Sequence, residues 1–344
     1  MSSLKRNPTM ADVARRAGVS AMTVSRALKG NGQVTKKTHD RIIAAVEELG
    51  YVLDLTAGAL SSQKTGFVSI IIPSVNNSNF SDTLLGITDT LDPAGKQVLL
   101  GYTGYNLQRE EQLIETMLQR RPEGLILTGG EHTPKARKIL KNTSIPVIET
   151  WDLPSNPINH VVGFSNAETM ENLVARLVLA GYRNIGYIGG NEKGDFRGIE
   201  RRRGYEHAIQ ALGLPKAHMV AIGDPPISIE QGGAAVVKLV EEWPEVEAVV
   251  CVSDPSAFGA IMECHRRGWP VPERLAIAGF GNFEISRFCW PSITTVSVNC
   301  YAIGQQAGQL LLQALEERAA GRSLPPRIER IPHSIIERES TGTR

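Results

Sequence analysis

The chain has 344 residues, 42% of them hydrophobic, with 37 Lys/Arg against 36 Asp/Glu for a formal net charge of +1. That length and apolar content exclude a disordered chain and a single small core, and point to two or three domains. No segment approaches the roughly 20 apolar residues that span a bilayer, and the opening MSSLKRNP lacks the apolar run of a secretory leader, so a cytoplasmic protein without membrane contact is expected.

The charge is unevenly spread. Residues 1–62 hold nine Lys/Arg against five Asp/Glu, a surplus of +4, so the remaining 282 residues carry −3. A small basic head on a mildly acidic body favours an anionic partner for the head alone. Within it, TMADVARRAGVSAMTVSRALKG holds two short helical patterns. Thr9 caps the first, with Val13, Ala14 and Ala17 on one face, and Gly18 ends it; Ser20 caps the second, with Val24, Ala27 and Leu28 turned inward. A third helix is expected from Thr35, with Ile42, Ile43, Val46 and Leu49 as its buried stripe and Gly50 as its stop.

Three such helices close a miniature helix-turn-helix core. The outward face of the second helix distinguishes it from a merely structural bundle. Met22, Arg26 and Lys29 fall at i, i+4 and i+7, with Ala21 and Thr23 beside Met22. At this end a recognition helix meets base edges. Arg26 can donate two parallel hydrogen bonds to guanine, Ala21 and Met22 offer apolar contact to a thymine methyl, and Thr23, Ser25 and the basic side chains suit phosphate.

Beyond Gly66 the pattern changes to alternating strands and helices. FVSIIIP, QVLLGYT, GLILTG, PVIETWD, IGYIGG, AVVCVSD and LAIAGFG are short apolar runs between amphipathic stretches such as REEQLIETMLQRR and residues 257–268. Parallel sheets with covering helices follow, and ligands in such folds sit past the carboxyl ends of the strands. Those ends lead here into SVNNSNF, TWDLPSN, NEKGDFRGIER, SDPS and GNFE.

Cys251, Cys264, Cys289 and Cys300, spaced by 13, 25 and 11, match neither a zinc site nor a compact disulfide framework. No P-loop, GxSxG, HExxH or strand-linked GxGxxG occurs, and His132, His160 and His265 are scattered in positions expected at the surface or at caps. An enzyme is therefore disfavoured. No cofactor or metal is expected.

The segments DVARRAGVSAMTVSRALKG, VTKKTHDRIIAAVEELGYV, AGALSSQKTGFVSIIIP and the closing IIERESTG resemble the lactose/galactose-repressor (LacI/GalR) family of bacterial transcription regulators over nearly the whole chain. The resemblance implies a helix-turn-helix head at 1–52, a hinge at 53–64 and, at 65–344, an α/β periplasmic-binding-protein-like body of two doubly wound subdomains with three crossings. It implies base reading by Ala21, Met22 and Arg26, a minor-groove wedge at Leu60, and a homodimer on operator DNA. Leu53 stands where the family usually has proline and Gly58 where it usually has a basic residue, so a looser hinge with a weaker phosphate grip is expected.

By the same resemblance Asn79 and Phe80 line one wall of an effector cleft, Arg201 anchors the ligand from the other, and Ser253 and Asp254 replace a usual Asn-Asp pair. Gly281 in GFGNF stands where many sugar-binding members carry aspartate, which removes repulsion against an anionic ligand. Lys193 and Arg197 lie close in sequence to Arg201, while Glu149 and Asp152, flanking Trp151 in IETWDLP, are expected to serve ligand hydroxyls. GFGNFEISRFC together with IETWDLP is most similar to the gluconate-repressor branch, and a sugar acid is the expected effector. A neutral sugar or nucleobase as effector, or a solute-binding protein without DNA binding, are the alternatives.

Overall fold

The computed structural model describes residues 6–28, 34–53, 65–191 and 195–342. By contacts they divide into two units, up to Thr65 and from Gly66 onward.

In the first unit α1 (Met10–Ala17), α2 (Ala21–Leu28) and α3 (Lys36–Leu49) enclose one small core. Each start has its polar lock. The Asp12 carboxylate accepts from both the N–H and the hydroxyl of Thr9, Ser20 Oγ accepts from Thr23 N–H at 3.2 Å, and Thr35 Oγ1 accepts from Thr38 N–H. Gly18 and Gly50 end α1 and α3 in the left-handed region, at φ 63° and 61°. Val13, Val24 and Ile42 are fully buried at the centre. The inner face of α3 is shifted from the expected stripe: Ile42 and Ala45 are buried, Val46 and Leu49 pack at the edge, and Ile43 is only half-buried outside the cluster. A small alanine at the centre lets three short helices approach where a branched residue would hold them apart.

The second unit carries two six-stranded sheets. The first is built from β1 (Phe67–Ile72), α4 (Ser78–Leu91), β2 (Gln97–Tyr102), α5 (Leu107–Gln119), β3 (Gly124–Thr128), α6 (Pro134–Asn142), β4 (Val147–Thr150) and β5 (His160–Gly163). The chain then passes through α7 (Asn166–Leu179) into β6 (Ile185–Gly189), α8 (Phe196–Ala211), β7 (His218–Ala221), α9 (Ile229–Glu242), β8 (Ala248–Cys251), α10 (Asp254–Arg266), β9 (Ala276–Phe280), α11 (Ile285–Phe288) and β10 (Thr294–Val298). It returns through α12 (Cys300–Ala319) to β11 (Ile328–Arg330), which joins the first sheet, and crosses once more to β12 (His333–Ile336), which joins the second. Strand orders are β11-β5-β4-β3-β1-β2 and β12-β10-β9-β8-β6-β7, parallel except for the antiparallel β10–β12 pair. Three passages between the sheets leave a cleft at their carboxyl ends.

The helix ladder explains why the subdomains hold shape. α12 lies along α4, and both are pared down where they touch: a Cβ on Gly86 would sit 2.2 Å from Tyr301 O, and one on Gly304 2.0 Å from Thr83 O. Ile303, Ala307, Leu310 and Leu311 are buried from α12, each large aliphatic contributing about 1.5–3 kcal/mol. The last described residues knit the second sheet together: Thr294 N–H donates to Ser340 Oγ at 2.9 Å, and Arg338 reaches Ser286 Oγ, Ile293 O and Asn282 Oδ1.

Two expectations are corrected. The run NEKGDFRGIER is helical from Phe196 onward, so its arginines project from a rigid element. His132 and His160 are buried, not surface or capping residues, whereas His265 is exposed as expected. The four cysteines are free thiols, and burial pushes those of Cys251, Cys264 and Cys300 up, which makes them unreactive.

Candidate DNA-reading face and effector cleft

The short helix α2 buries only Val24 and Ala27, which orients the rest of it outward. Ala21, Met22 and Arg26 are exposed, Met22 at 65%, while Thr23 and Ser25 are half-buried beside them. Three other head arginines are occupied: Arg6 and Arg15 pair with Asp12, and Arg16 pairs with Glu48. Arg26 makes no hydrogen bond or ion pair among the described residues. Lys29, Leu60, Gly58 and the hinge from Asp54 lie outside those residues, as does Lys193.

In the body, two arginines one helical turn apart on α8 converge on the cleft, each 8% exposed. Arg201 is fixed on three sides. Its Nε donates to Asn166 Oδ1 at 3.0 Å, its Nη1 donates to Val252 O at 2.9 Å, and its guanidinium lies 3.5 Å from the centre of the Phe280 ring. Burial lowers its pKa to about 10, so it remains a cation at neutral pH. Arg197 reaches across: its guanidinium stands 5.5 Å from the Phe80 ring and 5.8 Å from the Tyr105 ring, with Asp195 at 3.7 Å and Thr128 O at 3.5 Å. Such cations over ring faces are held by the ring quadrupole and by lost hydration.

Beneath them runs a chain of aromatic rings. Phe80 and Trp151 meet edge to face at 5.0 Å, Trp151 and Phe164 at 5.9 Å, and Phe164 stacks with Phe280 at 6.2 Å. Trp151 holds a left-handed backbone at φ 71°, which a bulky residue adopts only when its surroundings over-determine it. Here its Nε1 donates to Thr83 Oγ1, and its carbonyl accepts from Asn166 Nδ2. Asn166 thus ties the tryptophan of one wall to the arginine of the other.

Asn79 also crosses the cleft, donating from Nδ2 to Gly281 O at 3.0 Å. Gly281 has φ 118°, and a Cβ there would lie 2.4 Å from the Phe283 ring and 2.8 Å from Asn79 Nδ2. A carboxylate side chain at this position would therefore strain the loop as well as change its charge. Between the walls lies a cavity of about 40 Å³ lined by Tyr105, Glu110, Thr128, Asp152 and Arg197 among others. Burial raises the pKa of Asp152, with Arg197 acting against it.

Three of the expected ligand contacts have partners within the fold. Glu149 is fully buried, with one oxygen accepting from Ile158 N–H at 2.5 Å and the other 3.4 Å from His132 Nε2. Asp254 is fully buried, accepting from Thr295 Oγ1 at 2.6 Å and from Phe283 N–H at 2.8 Å; burial pushes its pKa up to about 6. Ser253 is the N-cap of α10, its hydroxyl 3.2 Å from that of Ser256. Aspartate after a strand satisfies a loop N–H as readily as a ligand, so residue type alone did not decide its role. Asn166, Tyr105 and Asp195 contact the cleft arginines without having been expected there. Their one signal was position, since each lies just past a strand's carboxyl end in a body whose cleft lies there.

Comparison with known proteins agrees with this architecture. Residues 9–54 match the model of bacterial regulatory proteins of the lacI family, and residues 174–341 match a periplasmic binding protein-like domain. The HTH-type transcriptional regulator GntR of Pseudomonas aeruginosa is 35% identical over 334 residues, covering 97% of this chain and 96% of that protein. A lacI-family transcriptional regulator from Silicibacter pomeroyi superposes with a TM-score of 0.88 at 30% identity, covering 97% and 99% of the two chains. The transcription regulator GntR from Chromobacterium violaceum superposes at 0.73 with 32% identity, over 80% of this chain and 99% of that one. Exposed recognition helix, two-sheet body and sequence kinship together place the chain in the lacI family: it is a DNA-binding transcription regulator, and not an enzyme.

Proposed function

We propose that the protein is a repressor of sugar-acid catabolism genes whose hold on operator DNA is released by gluconate or a close relative bound in the body cleft. The observation that carries this reading is the pair of buried guanidiniums, Arg197 and Arg201, beside a Gly281 that offers no carboxylate. Among the described residues the one ion pair that either guanidinium makes is that of Arg197 with Asp195, at 3.7 Å, and Asp152 lies near enough for Arg197 to act on it; two cations facing the cleft can still receive a ligand carboxylate by charge-assisted hydrogen bonds. The relatives that carry the name GntR support the same ligand class.

In this reading Ala21, Met22 and Arg26 read base edges, Thr23, Ser25 and Lys29 hold phosphates, and Leu60 wedges into the minor groove. One head covers too few bases for selective binding, so two chains bind a pseudo-palindrome as a dimer. Asn79, Phe80, Trp151, Asp152 and Arg201 form the effector site. A cavity of about 40 Å³ does not admit a six-carbon chain, so the two walls part for ligand entry, and the ligand selects one arrangement of the subdomains over another.

Calorimetry with gluconate and glucose tests the ligand class. Gluconate is expected to bind at least tenfold more tightly, because glucose has no carboxylate for the arginines. Glucose binding as tightly as gluconate returns the choice to neutral sugars.

A further inference from the structure

A second charged cluster lies on the other side of the cavity from Arg197, and no motif announced it. His132, in the loop before α6, is sandwiched between two carboxylates: its Nδ1 lies 2.9 Å from Glu110 Oε2 and its Nε2 3.4 Å from Glu149 Oε1. All three side chains are buried, at 0%, 6% and 1% exposure. Burial works against the imidazolium, but the hydrogen bond at Glu110 and the close approach of Glu149 outweigh it and push the pKa of His132 up to about 9, although Nε2 and Glu149 Oε1 themselves make no hydrogen bond. The cluster places two acidic side chains around one imidazole where apolar residues would stabilise the fold at least as well.

Its arrangement is asymmetric. Glu149 is tied to Ile158 N–H and faces the interior. Glu110 instead lines the cavity that Tyr105, Asp152 and Arg197 share. One of its oxygens is held by His132, and the other has no hydrogen-bond partner among the described residues. A nine-tenths-buried carboxylate with an unpartnered oxygen at a cavity wall is a waiting acceptor.

We propose that Glu110 is the hydroxyl-reading end of the effector site: it accepts a hydrogen bond from one hydroxyl of an acyclic polyhydroxy acid whose carboxylate sits at the Arg197 and Arg201 end, and His132 and Glu149 are the positioning residues that aim it. The inference rests on the cleft being the effector site. Negative charge at one end and two guanidiniums at the other fix the direction in which such a ligand lies. An acid without hydroxyls leaves Glu110 desolvated and unpaired, which a site built to accept a hydroxyl rejects strongly.

The test pairs ligand and protein changes in the full-length chain. Calorimetry measures gluconate and its five monodeoxy analogues against the wild type and Glu110→Gln. In the wild type one analogue is expected to bind at least tenfold more weakly than gluconate. In Glu110→Gln that penalty is expected to shrink to less than threefold, while the penalties of the other four are unchanged. Glu110→Asp, which keeps the charge but withdraws it by one methylene, gives the same readout should the glutamine variant fail to fold. Glu149→Gln is expected to reduce the same single penalty and no other. A penalty that persists in full in both Glu110 variants, or an equal loss for every ligand, overturns the proposal. Should the wild type bind glucose and not gluconate, the sugar-acid reading falls, and deoxyglucoses in the same cycle decide the role of Glu110. Binding of neither overturns both.

Discussion

The head and the body both use arginine, in opposite physical states. In the head, Arg26 is exposed and unpaired among the described residues, on a helix whose other side is anchored by Val24 and Ala27. In the body, Arg201 is 8% exposed, hydrogen-bonded through two of its nitrogens and laid on an aromatic ring. In the proposed function the difference follows from the size and charge of what each would meet. A duplex brings its own charge density and condensed counterions, so a mobile cation on the surface gains by releasing them. A small ligand supplies few contacts, so its receptor has to be desolvated and ordered beforehand.

The sharpest way to break this contrast is to truncate the buried cation. Arg201→Ala is expected to cost about 2–5 kcal/mol in gluconate affinity, the range for removing one partner of a buried charged contact. It also leaves Asn166 Oδ1 and Val252 O without their donor. Calorimetry checks the affinity, and gluconate is expected to leave the operator binding of this variant unchanged.

Removing the exposed cation has a smaller effect of a different kind. Arg26→Ala is expected to lose about 1–3 kcal/mol at the operator and to relax preference at one base pair, while binding to random DNA changes less. Competition gel shifts over single-base operator variants measure this, and equal losses on operator and random DNA contradict base reading. Head binding is also expected to weaken steeply with salt, and gluconate binding to weaken far less.

Gly281→Asp tests whether the loop, and not only its charge, was altered. Restoring the carboxylate forces a side chain onto φ 118° and against Phe283 and Asn79. About 1–3 kcal/mol of stability is expected to be lost. Calorimetric melting that stays at the wild-type temperature shows that the loop yields freely.

The smallest expected effect is a pH dependence of stability from the Glu110–His132–Glu149 cluster. The folded pKa of His132, about 9, lies above the ordinary value of 6.5, so the folded state binds the proton more tightly. Its contribution is fully present below about pH 6.5 and is lost as pH rises through about 9. Melting temperatures across that window are expected to fall in the wild type and to fall less in His132→Phe.

The same contrast governs what the sequence revealed. The helix expected to read DNA is eight consecutive residues, so a 3.6-residue period and caps at Thr9, Ser20 and Thr35 were enough to find the helices of the head. The cleft is assembled from contacts far apart in the chain. Arg201 meets Asn166 at a separation of 35 residues and Val252 at 51, and Arg197 meets Thr128 at 69. No spacing rule connects such positions. Resemblance pointed to Arg201, Asn79 and Phe80, which stand at the cleft, and equally to Glu149 and Asp254, whose oxygens the structure engages with Ile158 N–H and Thr295 Oγ1. Among the strands, apolar runs such as GLILTG and LAIAGFG were legible, whereas the four-residue HVVG of β5 and HMVA of β7 are too short to carry a period.

The central claim, that occupation of the cleft governs the head, is tested most directly by fluorescence anisotropy of labelled operator DNA titrated with the protein at rising gluconate concentration. The account predicts that operator affinity falls by at least tenfold as gluconate saturates, that glucose at the same concentration has no effect, and that Arg201→Ala abolishes the response. An operator affinity unchanged by saturating gluconate, with binding of gluconate established by calorimetry in the same buffer, contradicts it.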